Sequence, residues 1–179
     1  PDPDERLASL FIDAARGRLY LKSVSSLVAL ADSINGRKSG IRSEMVYADA
    51  PIASLSSMVY PHHGKLSELL ASCAEALRSG VGLGNYLAAC VIGFFCLTAH
   101  PFRDGNGRWA RIVVAYGNGR GESLDAALCS LFLHDHKNLL VKEIWPHGMR
   151  YGLRKYLSTA FAYRDYMLKE CGHLFEASE

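Results

Sequence analysis

Between His100 and Arg111 the chain reads HPFRDGNGRWAR, and these residues together could do phosphate chemistry. His100 titrates near neutral pH and can take a proton from an attacking hydroxyl. Asp104 offers a carboxylate, the usual protein ligand when Mg2+ is shared with phosphate oxygens. Gly105, Asn106 and Gly107 can turn their backbone N–H groups toward one anion, because glycine permits the close approach. Behind them WARIVVAY, Trp109 to Tyr116, predicts a helix whose N-terminus adds partial positive charge. Arg108 and Arg111 are three residues apart on that helix and can clamp a polyphosphate with forked hydrogen bonds.

GNGR occurs a second time, from Gly117 to Arg120. There Ile112 stands where the first copy has His100, Val114 replaces Phe102 and Tyr116 replaces Asp104. Without base or carboxylate, and with its glycines expected just past a helix, this copy predicts a C-terminal turn.

The elements that must position the first copy are mostly helical. YLAACVIGFFCLTA, Tyr86 to Ala99, is apolar around its whole circumference, and Gly93 allows a close neighbour. It predicts a buried helix, too short at 14 residues to span a bilayer. Pro101 stops it and biases His100 away from helical geometry. Helical spacing also marks 4–16, 19–31, 61–78, 123–134 and 149–168. NGRKSG, Asn35 to Gly40, is a loop by composition. After it Ile41, Ser43, Met45 and Tyr47 alternate with Arg42, Glu44, Val46 and Ala48, and DAP can turn the chain. This predicts a small β-hairpin near 41–59. With no linker or repeat beyond GNGR, residues 1–179 are expected to form one all-α domain.

Composition narrows the partners. Apolar residues make up 49% and charged residues 21%, with a net charge of +2. That balance gives no reason to expect nucleic acid or an anionic membrane as partner. Five cysteines, an odd number with no CxxC, read as reduced and without a zinc site. The opening PDPDER has no basic region followed by an apolar core, so no signal peptide is expected in it.

HPFRDGNGRWAR matches in full the signature of the Fic family: His, any, Phe, any, Asp or Glu, Gly, Asn, Gly, Arg, any, any, Arg. With the hairpin, the resemblance covers about residues 35–120. It implies an all-α Fic fold and a nucleotidyltransferase, usually moving AMP from ATP to a protein hydroxyl. By resemblance His100 is the general base, Asp104 holds Mg2+, and Gly105, Asn106 and Gly107 form the anion hole. Arg108 holds phosphates, Arg111 reaches the γ-phosphate, and Phe102 anchors the loop. The hairpin becomes the flap that aligns the target protein as an added strand, through Ile41, Arg42, Ser43, Glu44, Met45 and Val46.

Gly107 favours nucleotidyl transfer over Doc-type phosphate transfer, in which lysine takes that place. Transfer of UMP or phosphocholine, or nucleotide or partner binding without turnover, are the alternatives. Many relatives carry an inhibitory Ser or Thr, three residues, Glu, then Gly or Asn. No Ser or Thr here is followed by Glu four residues on, and in ADSINGR, Ala31 to Arg37, Asn35 stands in the Glu position. The resemblance therefore implies a separate antitoxin that supplies the Glu, a constitutively active effector, or an inhibitory helix elsewhere. Bacterial cytosol, or delivery into a host cell, is the implied location.

Other residues are expected to be structural. HDH, His134 to His136, lacks further recognisable ligands and predicts a polar helix end. His62 and His63 should lie at a loop-to-helix junction. Tyr151, Tyr156, Tyr163 and Tyr166 should form a packed helix face, and Trp109 should pack inside the domain.

Overall fold

The apolar run around Gly93 becomes helix α4, Tyr86–Ala99, with the bounds the sequence predicts. Asn85 caps it, its side chain accepting from the Ala88 N–H at 2.8 Å. The computed structural model describes residues 3–48, 58–80, 85–118, 124–136 and 149–176. Before α4 come α1 (Pro3–Ala15), α2 (Val24–Asn35) and α3 (Leu66–Ser79). After it come α5 (Asn106–Asn118), α6 (Leu124–Asp135) and α7 (Met149–Glu176). The fold is all-α, with one antiparallel two-stranded sheet pairing β1 (Tyr47–Ala48) with β2 (Met58–Val59).

Helix α5 is the axis of the molecule. Trp109, Ala110, Ile112, Val113 and Ala115 pack into a core shared with α1, α2, α3 and Cys96 of α4. Val114 faces a second core built with α4, α6 and α7. Thus the helix that opens at the glycine loop is clamped on both sides. Trp109 is fully buried, and its Nε1 donates to the Leu27 carbonyl of α2 at 3.1 Å. It is a packing residue, as expected. In α4, a Cβ on Gly93 would come within 3.1 Å of the Leu133 methyls and 3.2 Å of the Tyr156 hydroxyl, so α6 and α7 pack closely over this glycine. Two thiol pairs also meet at α4, Cys90 with Cys129 (Sγ atoms 3.9 Å apart) and Cys96 with Cys73. All five cysteines are free.

Several expectations are corrected. α4 is not apolar-buried all round, because Leu87 and Val91 are exposed. The helix expected over 19–31 runs over Val24–Asn35 instead. Ser23 starts it with a capping box: its hydroxyl takes the Ser26 N–H while the Ser26 hydroxyl takes the Ser23 N–H. Gly36, at φ 66°, ends it. α3 begins at Leu66, after a 3-10 turn over His63–Lys65 whose N–H at Gly64 is accepted by His62 Nδ1. That places His62 at a cap, as the sequence suggests.

α5 begins at Asn106, three residues before the expected Trp109, and Gly117 and Asn118 lie in its last turn rather than beyond it. The rest of the second GNGR falls outside the described residues. Of the four tyrosines of α7, Tyr156 is buried and Tyr163 partly so, but Tyr151 and Tyr166 are exposed. A 28-residue helix outreaches the α6 surface it packs on, so no single tyrosine stripe is covered throughout. No helix among the described residues is long and apolar enough to cross a membrane.

Candidate active site

His100 occupies the C-cap of α4 in left-handed geometry, φ 44° and ψ 57°, and is the sole non-glycine residue at positive φ among the described residues. Such a backbone costs roughly 1–2 kcal/mol outside glycine, so the surroundings must impose it. They do so through Arg42. This residue is only 2% exposed. Its Nε donates to the His100 carbonyl at 2.8 Å, and its two terminal nitrogens donate to the Glu44 carbonyl at 2.7 Å and the Pro61 carbonyl at 2.6 Å. The Arg42 N–H donates to the Pro101 carbonyl at 3.0 Å. A guanidinium on the last carbonyl of α4 also complements the negative end of that helix.

The same contacts correct the expected flap. Ile41, Arg42, Ser43, Glu44, Met45 and Val46 form no strand, and pairing begins only at Tyr47 with Val59. The alternation over 41–46 has another cause. Ile41 packs on the core, Arg42 turns inward to the carbonyls just described, and the Glu44 carboxylate meets Arg103 at 2.6 Å on the surface. Val46 accepts the Tyr60 N–H at 3.2 Å and closes the base of the hairpin. The hairpin tip lies outside the described residues.

The His100 imidazole is half-buried, with the Tyr60 ring stacked on it at 4.0 Å between centroids and 25° between planes. One ring nitrogen bonds the Leu97 carbonyl. Burial, and then the nearby charge of Arg42, push the pKa down to about 4 despite that bond. His100 is therefore a neutral imidazole at pH 7, the form that can accept a proton.

From Phe102 to Asn106 the loop closes on itself. Phe102 is fully buried and meets Trp109 edge to face, 5.2 Å between centroids. The Asn106 side chain accepts the Phe102 N–H at 3.0 Å and donates to the Phe102 carbonyl at 2.7 Å. Its Oδ1 and one Nδ2 hydrogen are thereby committed to the loop. Gly105, at φ 78°, turns the chain into α5. The first helical bond runs from the Trp109 N–H to the Gly105 carbonyl at 2.8 Å. The N–H groups of Asn106, Gly107 and Arg108 are thus first-turn donors without intrahelical acceptors.

Asp104 is exposed, one carboxylate oxygen accepting the Gly105 N–H at 2.6 Å and the other 3.5 Å from Arg108. Among the described residues no three His, Cys, Asp or Glu side chains gather into a metal cage. A cation held by Asp104 would take its remaining ligands from water and bound phosphate, and this single accessible carboxylate suits Mg2+ in that mode.

The sequence marks Asn35 only by its place in ADSINGR, and the structure supplies its partners. Asn35, at the end of α2, lies over the loop. Its Oδ1 accepts from Arg108 at 3.3 Å, and its Nδ2 donates to the Asp104 carbonyl and the Ser39 hydroxyl, each at 3.2 Å. Its bond to the loop arginines goes to Arg108. Arg111 lies beside Gly107, where an added Cβ would be 3.8 Å from its terminal nitrogen. It also lines a cavity of about 380 Å³ with Phe11, Ala127, Ser130, Leu131 and His134. Burial, then the charge of Arg108, hold its pKa down. Two cations that close make an anion welcome. Neither Tyr60 nor Arg42 carries a local signal of its pairing with His100, which lies 40 and 58 residues away in sequence.

A family model described as the Fic/DOC family matches residues 25–116, just over half of the 179 residues. That span takes in α2, the hairpin, the loop and nearly all of α5. No curated protein matches the chain.

Proposed function

The chain belongs to the Fic/DOC family, and from that premise we propose that it moves AMP from ATP onto a Ser, Thr or Tyr hydroxyl of another protein. Family membership carries the coarser statement, a Fic-type transferase of AMP or another phosphate-linked group. The finer reading is supported above all by the neutral His100, held beside a loop that opens α5 with free first-turn N–H groups and with Arg108 and Arg111 on that helix.

In this reading His100 takes the proton of the target hydroxyl as its oxygen attacks the α-phosphorus. The bond from that phosphorus to the bridging oxygen of the β-phosphate breaks, and pyrophosphate leaves. The N–H groups of Asn106, Gly107 and Arg108 hold the developing negative charge, with the α5 N-terminus behind them. Arg108 holds phosphate oxygens, and Arg111 takes the γ-phosphate. Mg2+ bound through Asp104 would neutralise charge on the departing pyrophosphate. The target would lie along the hairpin as an added strand. Arg111 is also where an acidic side chain from a separate inhibitory protein would compete, and the cavity between α1, α5 and α6 gives it room.

The test is label transfer. The chain and its His100→Ala variant are incubated with Mg2+, lysate and α-labelled ATP, with UTP, GTP, CTP and CDP-choline in parallel. Label from ATP on a protein band, lost in the variant, is the expected result. Label from CDP-choline or UTP alone would replace AMP by that group. Nucleotide binding with no transfer from any donor would overturn the proposal in favour of a binding domain.

A further inference from the structure

We propose that Tyr60 is a positioning residue that sets the plane of the His100 imidazole, so that the base of the hairpin and the base of the reaction are one mechanical unit. The inference rests on the transferase reading for its kinetic consequence, but not for its geometry. Tyr60 is 8% exposed, and its place is fixed by its N–H on the Val46 carbonyl, the step that closes the hairpin. Its ring lies 4.0 Å from the imidazole at 25°. The ring torsion of histidine is broad and roughly two-fold, so the Leu97 bond alone leaves the imidazole room to tilt. A large aromatic face pressed along one side removes that freedom. One nitrogen then stays on the Leu97 carbonyl, and the other is held as the proton acceptor in one direction.

Arg42 completes the unit from below. It bonds the His100 carbonyl and the Pro61 carbonyl, the residue after Tyr60, with one guanidinium. The two stacked rings are thereby tied through their backbones as well as their faces. A displacement of the hairpin, such as a target strand would cause, must pass to the imidazole through this pair.

The experiment reads the histidine directly. Protein with 13C-labelled imidazoles is compared as wild type, Tyr60→Phe and Tyr60→Leu, with His100→Asn to assign the resonance. The ring protons of His100 should lie upfield of free histidine in wild type and in Tyr60→Phe, which keeps the face. In Tyr60→Leu they should move to the free position and broaden. With the donor that labels, Tyr60→Leu should lose about ten- to a hundredfold in kcat with KM for nucleotide unchanged. Tyr60→Phe should recover the wild-type rate. An unmoved His100 resonance in Tyr60→Leu, or an equal loss in Tyr60→Phe and Tyr60→Leu, would overturn the proposal. Tyr60→Met, also apolar and flat-faceless, takes the place of Tyr60→Leu if that variant fails to fold. Should no donor label any protein, the transferase reading fails while the spectra still decide the position of the ring.

Discussion

The side-chain amide of Asn106 holds both polar backbone groups of Phe102, accepting its N–H at 3.0 Å and donating to its carbonyl at 2.7 Å. Asn106 is 4% exposed and Phe102 is fully buried, so water can replace neither bond. Asn106→Ala would strand a buried donor and a buried acceptor together. The expected loss is about 2–4 kcal/mol, or roughly 5–15 °C in Tm, measured by thermal unfolding. A loss below 1 °C would show that the loop does not depend on this closure.

Gly105→Ala meets two obstacles. Its φ of 78° is strained for alanine, and the new Cβ would lie 2.6 Å from Asn35 Oδ1. The strain costs roughly 1–2 kcal/mol, and moving Asn35 releases its bonds to Arg108 and to the Asp104 carbonyl. Combined with Asn35→Ala, the second obstacle vanishes. The Tm loss of the double variant should therefore be smaller than the sum of the two single losses.

Arg111→Ala should abolish label transfer, because the γ-phosphate would lose its cation. Arg120→Ala, in the second GNGR, should leave transfer and nucleotide binding as they are. Calorimetric titration with ATP and Mg2+ compares the two. Full transfer in Arg111→Ala would remove the γ-phosphate assignment.

The pH dependence follows from His100. Its folded pKa, about 4, lies below the ordinary 6.5. Between those values the unfolded chain binds a proton that the folded chain refuses, so stability falls as pH drops through this window. Above pH 6.5 neither state is protonated there and the dependence ends. His100→Asn should flatten the slope of Tm between pH 6.5 and 4. Transfer by the wild type should keep its base active down to near pH 4, where kcat/KM declines.

Legibility in the sequence divides along the range of the interactions. Tyr86–Ala99 was readable to the residue because an apolar run between Asn85 and His100–Pro101 carries its own start and stop signals. That a helix follows HPFRDGNGR was readable for the same reason, although it begins at Asn106 and not at Trp109. Ile41 to Val46 misled because a period of two also arises when alternate residues serve a core, a buried guanidinium and a surface ion pair. Val24–Asn35 was shifted because a serine-only capping box is a weaker mark than one with glutamate. Asn35 was noticed, but its neighbours are Asp104 and Arg108, about seventy residues on, and no local pattern names them.

His100 bears two burdens at one position: a left-handed backbone and an imidazole withdrawn from water. Asparagine would relieve both, since it tolerates that backbone and has no proton to refuse. Selection for heat resistance alone would therefore drift away from histidine here, and thermostabilised descendants of this chain should be screened first for a lost base. If His100 is the proposed base, the most durable sequence and the working one are different sequences.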